Sequence, residues 1–144
     1  TPRTDSEQLQ QIVLDVFAEC DPSGALGAEC WSDFSAKRKA WAGASANVDV
    51  LIADADALER NLGAMLPNAL SLATGLVRAG ATVSFDELDA WVTPTVWSWA
   101  VKNCLYMRNR VTIVDLLAEL GWWTDADVAV VLGMTEAVIR QARS

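Results

Sequence analysis

Apolar residues recur at three- and four-residue intervals through most of the 144-residue chain, the spacing of helices that bury one face and wet the other. Leu9, Ile12, Val13, Val16, Phe17 and Cys20 predict a helix over residues 5–20, with Gln8, Gln10, Gln11, Asp15 and Glu19 outside and Thr4 with Glu7 as its capping box. Asp21-Pro22-Ser23-Gly24 reads as a turn, and a loop continues to Gly27. A helix over residues 29–42 comes next, then a break of small residues from Gly43 to Ala46. Asn47 caps a helix in which Val48, Leu51, Ile52, Ala55, Leu58, Leu62 and Met65 keep the same spacing up to Leu66, where Pro67 stops or kinks it. Residues 68–78 read as another helix with Leu70, Leu72, Leu76 and Val77, ended by Gly80. These last two carry few charges and are expected in the middle of the core.

Ser84 with Glu87 makes a capping box that opens a short helix through Trp91. Thr93-Pro94 begins the next, because proline at the first helical position has no N–H to leave unpaired. From Pro94 to about Arg108 the apolar residues circle the helix axis almost completely, which predicts burial on most sides, inside the domain or against a second chain. Thr112 with Asp115 makes a further box, and Leu116, Leu117 and Leu120 lead to Gly121 and the Trp122-Trp123 link. Thr124 with Asp127 then opens a helix carrying Val128, Val131 and Leu132. Gly133 is expected to end it, and Thr135 to cap a last short helix with Val138, Ile139 and Ala142 inside and Glu136, Arg140, Gln141 and Arg143 outside. The pattern predicts an all-α single domain over residues 1–144, a helical bundle of seven to nine helices with a C-terminal helix-turn-helix-like hairpin over 124–144.

Composition narrows what such a bundle does. A hydrophobic fraction of 52% and seven tryptophans exceed the usual globular mix, so the excess fills a core or covers a partner. Nineteen acidic against eleven basic residues give a net charge of −8, whose field repels nucleic acid; any DNA contact must come from a local basic patch. Cys20, Cys30 and Cys104 have no CxxC spacing and the chain has no His, which argues against a metal site and for buried free thiols in a reducing cytoplasm. Cys20 can also approach Cys30 across the turn. Thr1 to Glu7 does not read as a signal peptide, and Asn61 to Val77 is interrupted by Pro67 and polar residues, which argues against a membrane span. No cofactor motif and no catalytic constellation stand out: Asp86, Glu87 and Asp89 sit in a helix's first turn, where carboxylates favour the dipole, and Cys104 has no evident base. The chain is not expected to be an enzyme.

Two basic stretches are candidates for contact. Lys37-Arg38-Lys39 beside Trp31, Phe34 and Trp41 reads as a solvated helix face or as a contact for phosphate or an acidic partner. Between Ala90 and Val114 there is no acid, and Lys102, Arg108 and Arg110 stand near Trp91, Trp97, Trp99 and Tyr106, which suits either phosphate contact with base stacking or tryptophan core filler with snorkelling cations.

Ala129, Gly133, Thr135, Val138 and Ile139 resemble the helix-turn-helix of bacterial regulators over about twenty residues. That resemblance implies a last helix in the major groove, with Thr135, Glu136, Arg140, Gln141 and Arg143 toward bases or phosphates. Asn103-Cys104-Leu105, Thr112-Ile113, Asp115-Leu116-Leu117 and Leu132-Gly133 are similar to the C-terminal domain of the bacterial RNA polymerase α subunit, a compact helical DNA-binding domain. This second resemblance implies Asn103 at the DNA surface and Gly133 at the start of the last helix. The leading expectation is a DNA-associated regulator acting through the hairpin and the Lys102, Arg108 and Arg110 patch. The alternative is a protein-interaction module, with a protein partner or a homo-oligomer, docking through Trp31, Trp41, Trp97, Trp99, Trp122 and Trp123.

Overall fold

Helical spacing near the N-terminus produces α1 (Ser6–Ala18), which turns Val13 and Phe17 fully inward. The structure is a computed structural model that describes residues 6–144, and at 43–49, 51, 52, 55, 58 and 86 it describes the backbone alone. The Thr4 cap and the side-chain placement of Asn47, Val48, Leu51, Ile52, Ala55 and Leu58 lie outside the described residues.

The Asp21–Gly24 turn is also the cap of the next helix. The Asp21 carboxylate accepts from the Ser23 N–H at 3.0 Å and the Leu26 N–H at 2.7 Å, so the chain becomes helical at Ala25, earlier than the expected loop allows. The Leu26 N–H is the main cause holding the Asp21 carboxyl below its usual range. In α2 (Ala25–Ala53) Gly27 is buried against α1: a Cβ there would lie 3.3 Å from Leu14 Cδ2 and 3.4 Å from Leu14 Cα, so the glycine sets how closely the two helices approach. The small residues from Gly43 to Ala46 do not break α2, which runs 29 residues through them. Alanine is the best helix former, and one interior glycine costs only about 1 kcal/mol.

The break comes at Asp54, whose carboxylate accepts from the Ala57 N–H at 3.2 Å and caps α3 (Ala55–Met65). Leu66 is extended, as the residue before a proline prefers. Asn68 then caps α4 (Ala69–Arg78), accepting from the N–H groups of Leu70 at 2.9 Å and Ser71 at 3.3 Å. The helix expected to start at Ser84 contracts to a 3-10 turn at Phe85–Glu87; the Ser84 side chain caps nothing there, and the Glu87 side chain accepts from the Val83 N–H at 3.2 Å. Thr93 caps α5 (Pro94–Asn103) as expected, but the helix stops at Asn103 and a 3-10 turn at Cys104–Tyr106 follows. Capping boxes at Thr112 with Asp115 and Thr124 with Asp127 open α6 (Ile113–Glu119) and α7 (Asp125–Arg143), again as expected.

α7 overturns the C-terminal reading. It is one helix of 19 residues, and the expected turn at Gly133 is not formed. Thr135 caps nothing, since its Oγ1 donates to the Val131 carbonyl at 2.9 Å, a bond made within a helix. The division into helices therefore differs from the expected one: 29–42 fuses with the start of the Asn47 helix, the hairpin becomes α7, and 84–91 shrinks to a turn.

The described residues form helices and 3-10 turns with no strand, and no helix among them is long and apolar enough to cross a membrane. α1 packs on α2, the Cys104–Tyr106 turn closes over α2, and α5 links this layer to α7, which lies along α4. The core is Val13, Phe17, Cys30 and Phe34, ringed by Val16, Trp31, Trp99, Leu105 and Tyr106. Among the described residues it sits at α1 and α2; along α4, expected in the middle of the core, only Ala73 is buried, while Leu72 and Leu76 are exposed. The three thiols are free; Cys30 is buried and Cys104 half-buried, but Cys20 is exposed, contrary to its expected burial.

Candidate functional site

The cations expected to meet nucleic acid do not form one surface. Lys102 pairs with Asp125, Arg140 with Glu136 at 3.8 Å, and Arg143 with Glu87, so three of the five have a carboxylate partner. Asp125 and Arg140 stand at opposite ends of α7, about 22 Å apart at the helical rise. Arg108 and Arg110 are exposed on the segment before α6, with no ion pair among the described residues. Glu136 and Gln141 are exposed on α7, where Glu136 faces Arg140.

Asn103, expected at a DNA surface, is 6% exposed, and its Nδ2 donates to the Trp99 carbonyl at 2.9 Å. Gly133, expected at the start of the last helix, lies inside α7. Lys37 is not on a solvated face either. At 3% exposure its ammonium donates to the Leu105 carbonyl, pairs with Asp115 and stands 5.1 Å from the Phe34 ring centre. Asp115 keeps its other oxygen for the Thr112 N–H and hydroxyl, so one buried charge pair joins α2, the Cys104–Tyr106 turn and the start of α6. Arg38 lies 5.9 Å from the same Phe34 ring, and Lys39 points to solvent.

Most of the tryptophans proposed for docking are structural. Trp99 meets Phe17 edge-on with ring centres 5.6 Å apart, Trp97 stacks on Phe85 at 5.6 Å, and Trp31 tilts against Phe34 at 6.3 Å. Trp123 donates its indole N–H to the Lys102 carbonyl at 2.9 Å, and Trp41 is half-buried. Of the six, Trp122 alone is open, at 61% exposure, and Trp91, not counted among them, is 66% exposed.

The open apolar surface lies elsewhere. Between α4 and α7 runs a groove of about 510 Å³ walled by Leu72, Leu76, Val131, Met134, Val138 and Ile139, with no charged residue in its lining. Met134 is 66% exposed beside it. Adjoining it along α7, with Ile139 and Thr135 in both linings, a second groove of about 530 Å³ is lined by Phe85, Leu88, Pro94, Trp97, Leu132 and Ile139, with Glu136, Arg140 and Arg143 among its polar residues. Arg143 is positioned there, because its Nη2 also donates to Ser84 Oγ at 3.3 Å and Glu87 in turn is anchored by the Val83 N–H at 3.2 Å. The Val83 N–H, and after it the Arg143 charge, hold the Glu87 carboxyl below its usual range against the opposing effect of burial.

Sequence reasoning missed these grooves by taking Gly133 as a stop. Val131, Met134 and Val138 keep the three-and-four repeat straight through it, and that continuity was the available signal. Comparison with protein-family models, with curated proteins and with solved structures gives no match to this chain.

Proposed function

We propose that this chain is a non-enzymatic protein-interaction module and that its docking surface is the apolar groove between α4 and α7. The uncharged lining of that groove carries the reading: Leu72, Leu76, Val131 and Met134 present aliphatic surface to solvent along two helices. Exposed apolar surface in one continuous strip marks a place where another surface belongs, and a groove between two helices suits an amphipathic helix that lays down its apolar side chains. The docking elements of this proposal are aliphatic. The tryptophans Trp31, Trp97, Trp99 and Trp123, first expected to dock, are used inside the chain.

A DNA-associated regulator has less support. It needed a turn at Gly133 and free arginines behind it, whereas α7 is continuous and both Arg140 and Arg143 face carboxylates. With a net charge of −8, and with Lys102, Arg140 and Arg143 each paired to a carboxylate, the field of the chain opposes the approach of a polyanion.

Panning a displayed library of amphipathic helical peptides against the protein tests the docking reading. Enriched peptides should bind the native chain and lose binding to Leu76→Lys and Met134→Lys. A duplex-DNA titration at two salt concentrations runs beside it. Saturable, salt-sensitive DNA binding that disappears when Arg140 and Arg143 become Ala, with no peptide enriched, would replace this reading by the regulator.

A further inference from the structure

We propose that the second groove, between α7, α5 and the Phe85–Glu87 turn, binds a small amphipathic anion: an aliphatic or aromatic body carrying one carboxylate. Its floor is the Phe85–Trp97 stack, and its volume of about 530 Å³ is in the ordinary range for a small-molecule site. Its lining carries Arg140, Arg143 and Glu136, and Glu87 pairs with Arg143 beside it, so the four charges balance and preference for an anion rests on how loosely Arg140 is held.

The two arginines are prepared differently. Arg143 is fixed through Nη2 to Glu87 and Ser84, which leaves other guanidinium N–H groups in a set position. Glu87 holds that position because the Val83 N–H, and after it the Arg143 charge, favour its ionised form. Arg140 has a loose hold, one 3.8 Å contact to Glu136 in which both side chains are exposed, and such a pair is easily exchanged for a better acceptor. A carboxylate entering between them gains charge-assisted hydrogen bonds from a preset donor and from one free to turn, while its apolar body covers Leu132, Ile139 and the Trp97 ring. A neutral ligand of the same shape gains only the second part, and a cationic one meets Arg140 and Arg143 at like charge. This proposal concerns a different groove from the docking proposal and does not depend on it.

Titration calorimetry of the whole chain with decanoate, decanol and decylamine, with tryptophan fluorescence read alongside, tests it. Decanoate should bind and perturb tryptophan emission, and Trp97→Phe, which trims the floor, should remove that change and weaken binding. Decanol should bind about tenfold more weakly or worse, because each lost charge-assisted bond is worth about a factor of ten. Arg140→Ala, which leaves an exposed side chain shorter and the fold untouched, should weaken decanoate about tenfold and decanol not at all. Arg143→Lys keeps the charge beside Glu87 but loses the fork, and should give an intermediate loss. The proposal is overturned if decanoate does not bind, if decanol binds equally well, or if Arg140→Ala leaves the preference for the anion intact.

Discussion

The two layers joined by α5 are built from different side chains and reach different degrees of completion. Where α1, α2 and the Cys104–Tyr106 turn meet, rings interlock: Phe17 with Trp99 at 5.6 Å, and Phe34 with Tyr106 at 5.0 Å, both edge-on. The one buried cation there, Lys37, has a carbonyl, a carboxylate and a ring around it. Along α4 and α7, the buried side chains are Ala73 and Val128, and two adjoining apolar grooves run along the C-terminal half of α7. Large planar side chains close the first layer within the chain, whereas alanine, valine and glycine in the second leave space that the chain does not fill. Two of the seven tryptophans, Trp31 and Trp99, pack against the closed core, and the groove between α4 and α7 is aliphatic.

The largest effects should come from the closed layer. Phe17→Ala empties the middle of the core and is expected to cost about 3–5 kcal/mol in urea unfolding. Lys37→Ala leaves the Asp115 charge without its partner and should cost a similar amount, about 3–5 kcal/mol. Replacing Lys37 and Asp115 together by Met and Leu should be much milder than the single change, since the cost lies in the orphaned charge. If Lys37→Ala is nearly neutral, the first layer is not sealed and the contrast with α4 and α7 loses its basis.

Within the open layer, the two sides of α7 should separate. Val128→Ala removes two buried carbons and is expected to cost about 2 kcal/mol, whereas Met134→Ala should stay within about 0.5 kcal/mol because the side chain has little to lose in the isolated chain. Equal costs would mean that Met134 is packed and the groove beside it closed.

The sequence made the helical class and most helix starts legible, because caps are local: Asn68, Thr93, Thr112 and Thr124 all sit where a side-chain oxygen meets free N–H groups of the first turn. Stops were less readable. Gly133 and the Gly43–Ala46 run lie within helices, since a glycine ends a helix only when the flanking residues also stop favouring it. Which helix faces meet was not legible, because 3.6-residue spacing reports an apolar face without saying what covers it. Leu72 and Leu76 looked like core for that reason.

Gly133 turns that misreading into a measurement. No atom lies within 4 Å of the position its Cβ would take, and it is not among the glycines with positive φ. Gly133→Ala should therefore raise stability by about 0.5–1 kcal/mol, the gain from replacing an exposed mid-helix glycine. A left-handed turn at this position would give the opposite sign, so loss of stability in this variant would restore the hairpin.

The smallest effect concerns the tie at the end of the second groove. Glu87 has its carboxyl lowered below 4.5 by the Val83 N–H first and by Arg143 after it, so its contribution is fully present at pH above the unfolded value and is lost as pH falls through the folded one. Glu87→Gln should lower the urea midpoint by a small, constant amount near neutral pH. As pH falls through the lowered folded value, the native protein loses the same contribution by protonation, and the two midpoints should converge. A difference that persists into acid would show that Glu87 acts by packing between Val83 and Arg143, and that the groove's arginine is held by shape, not charge.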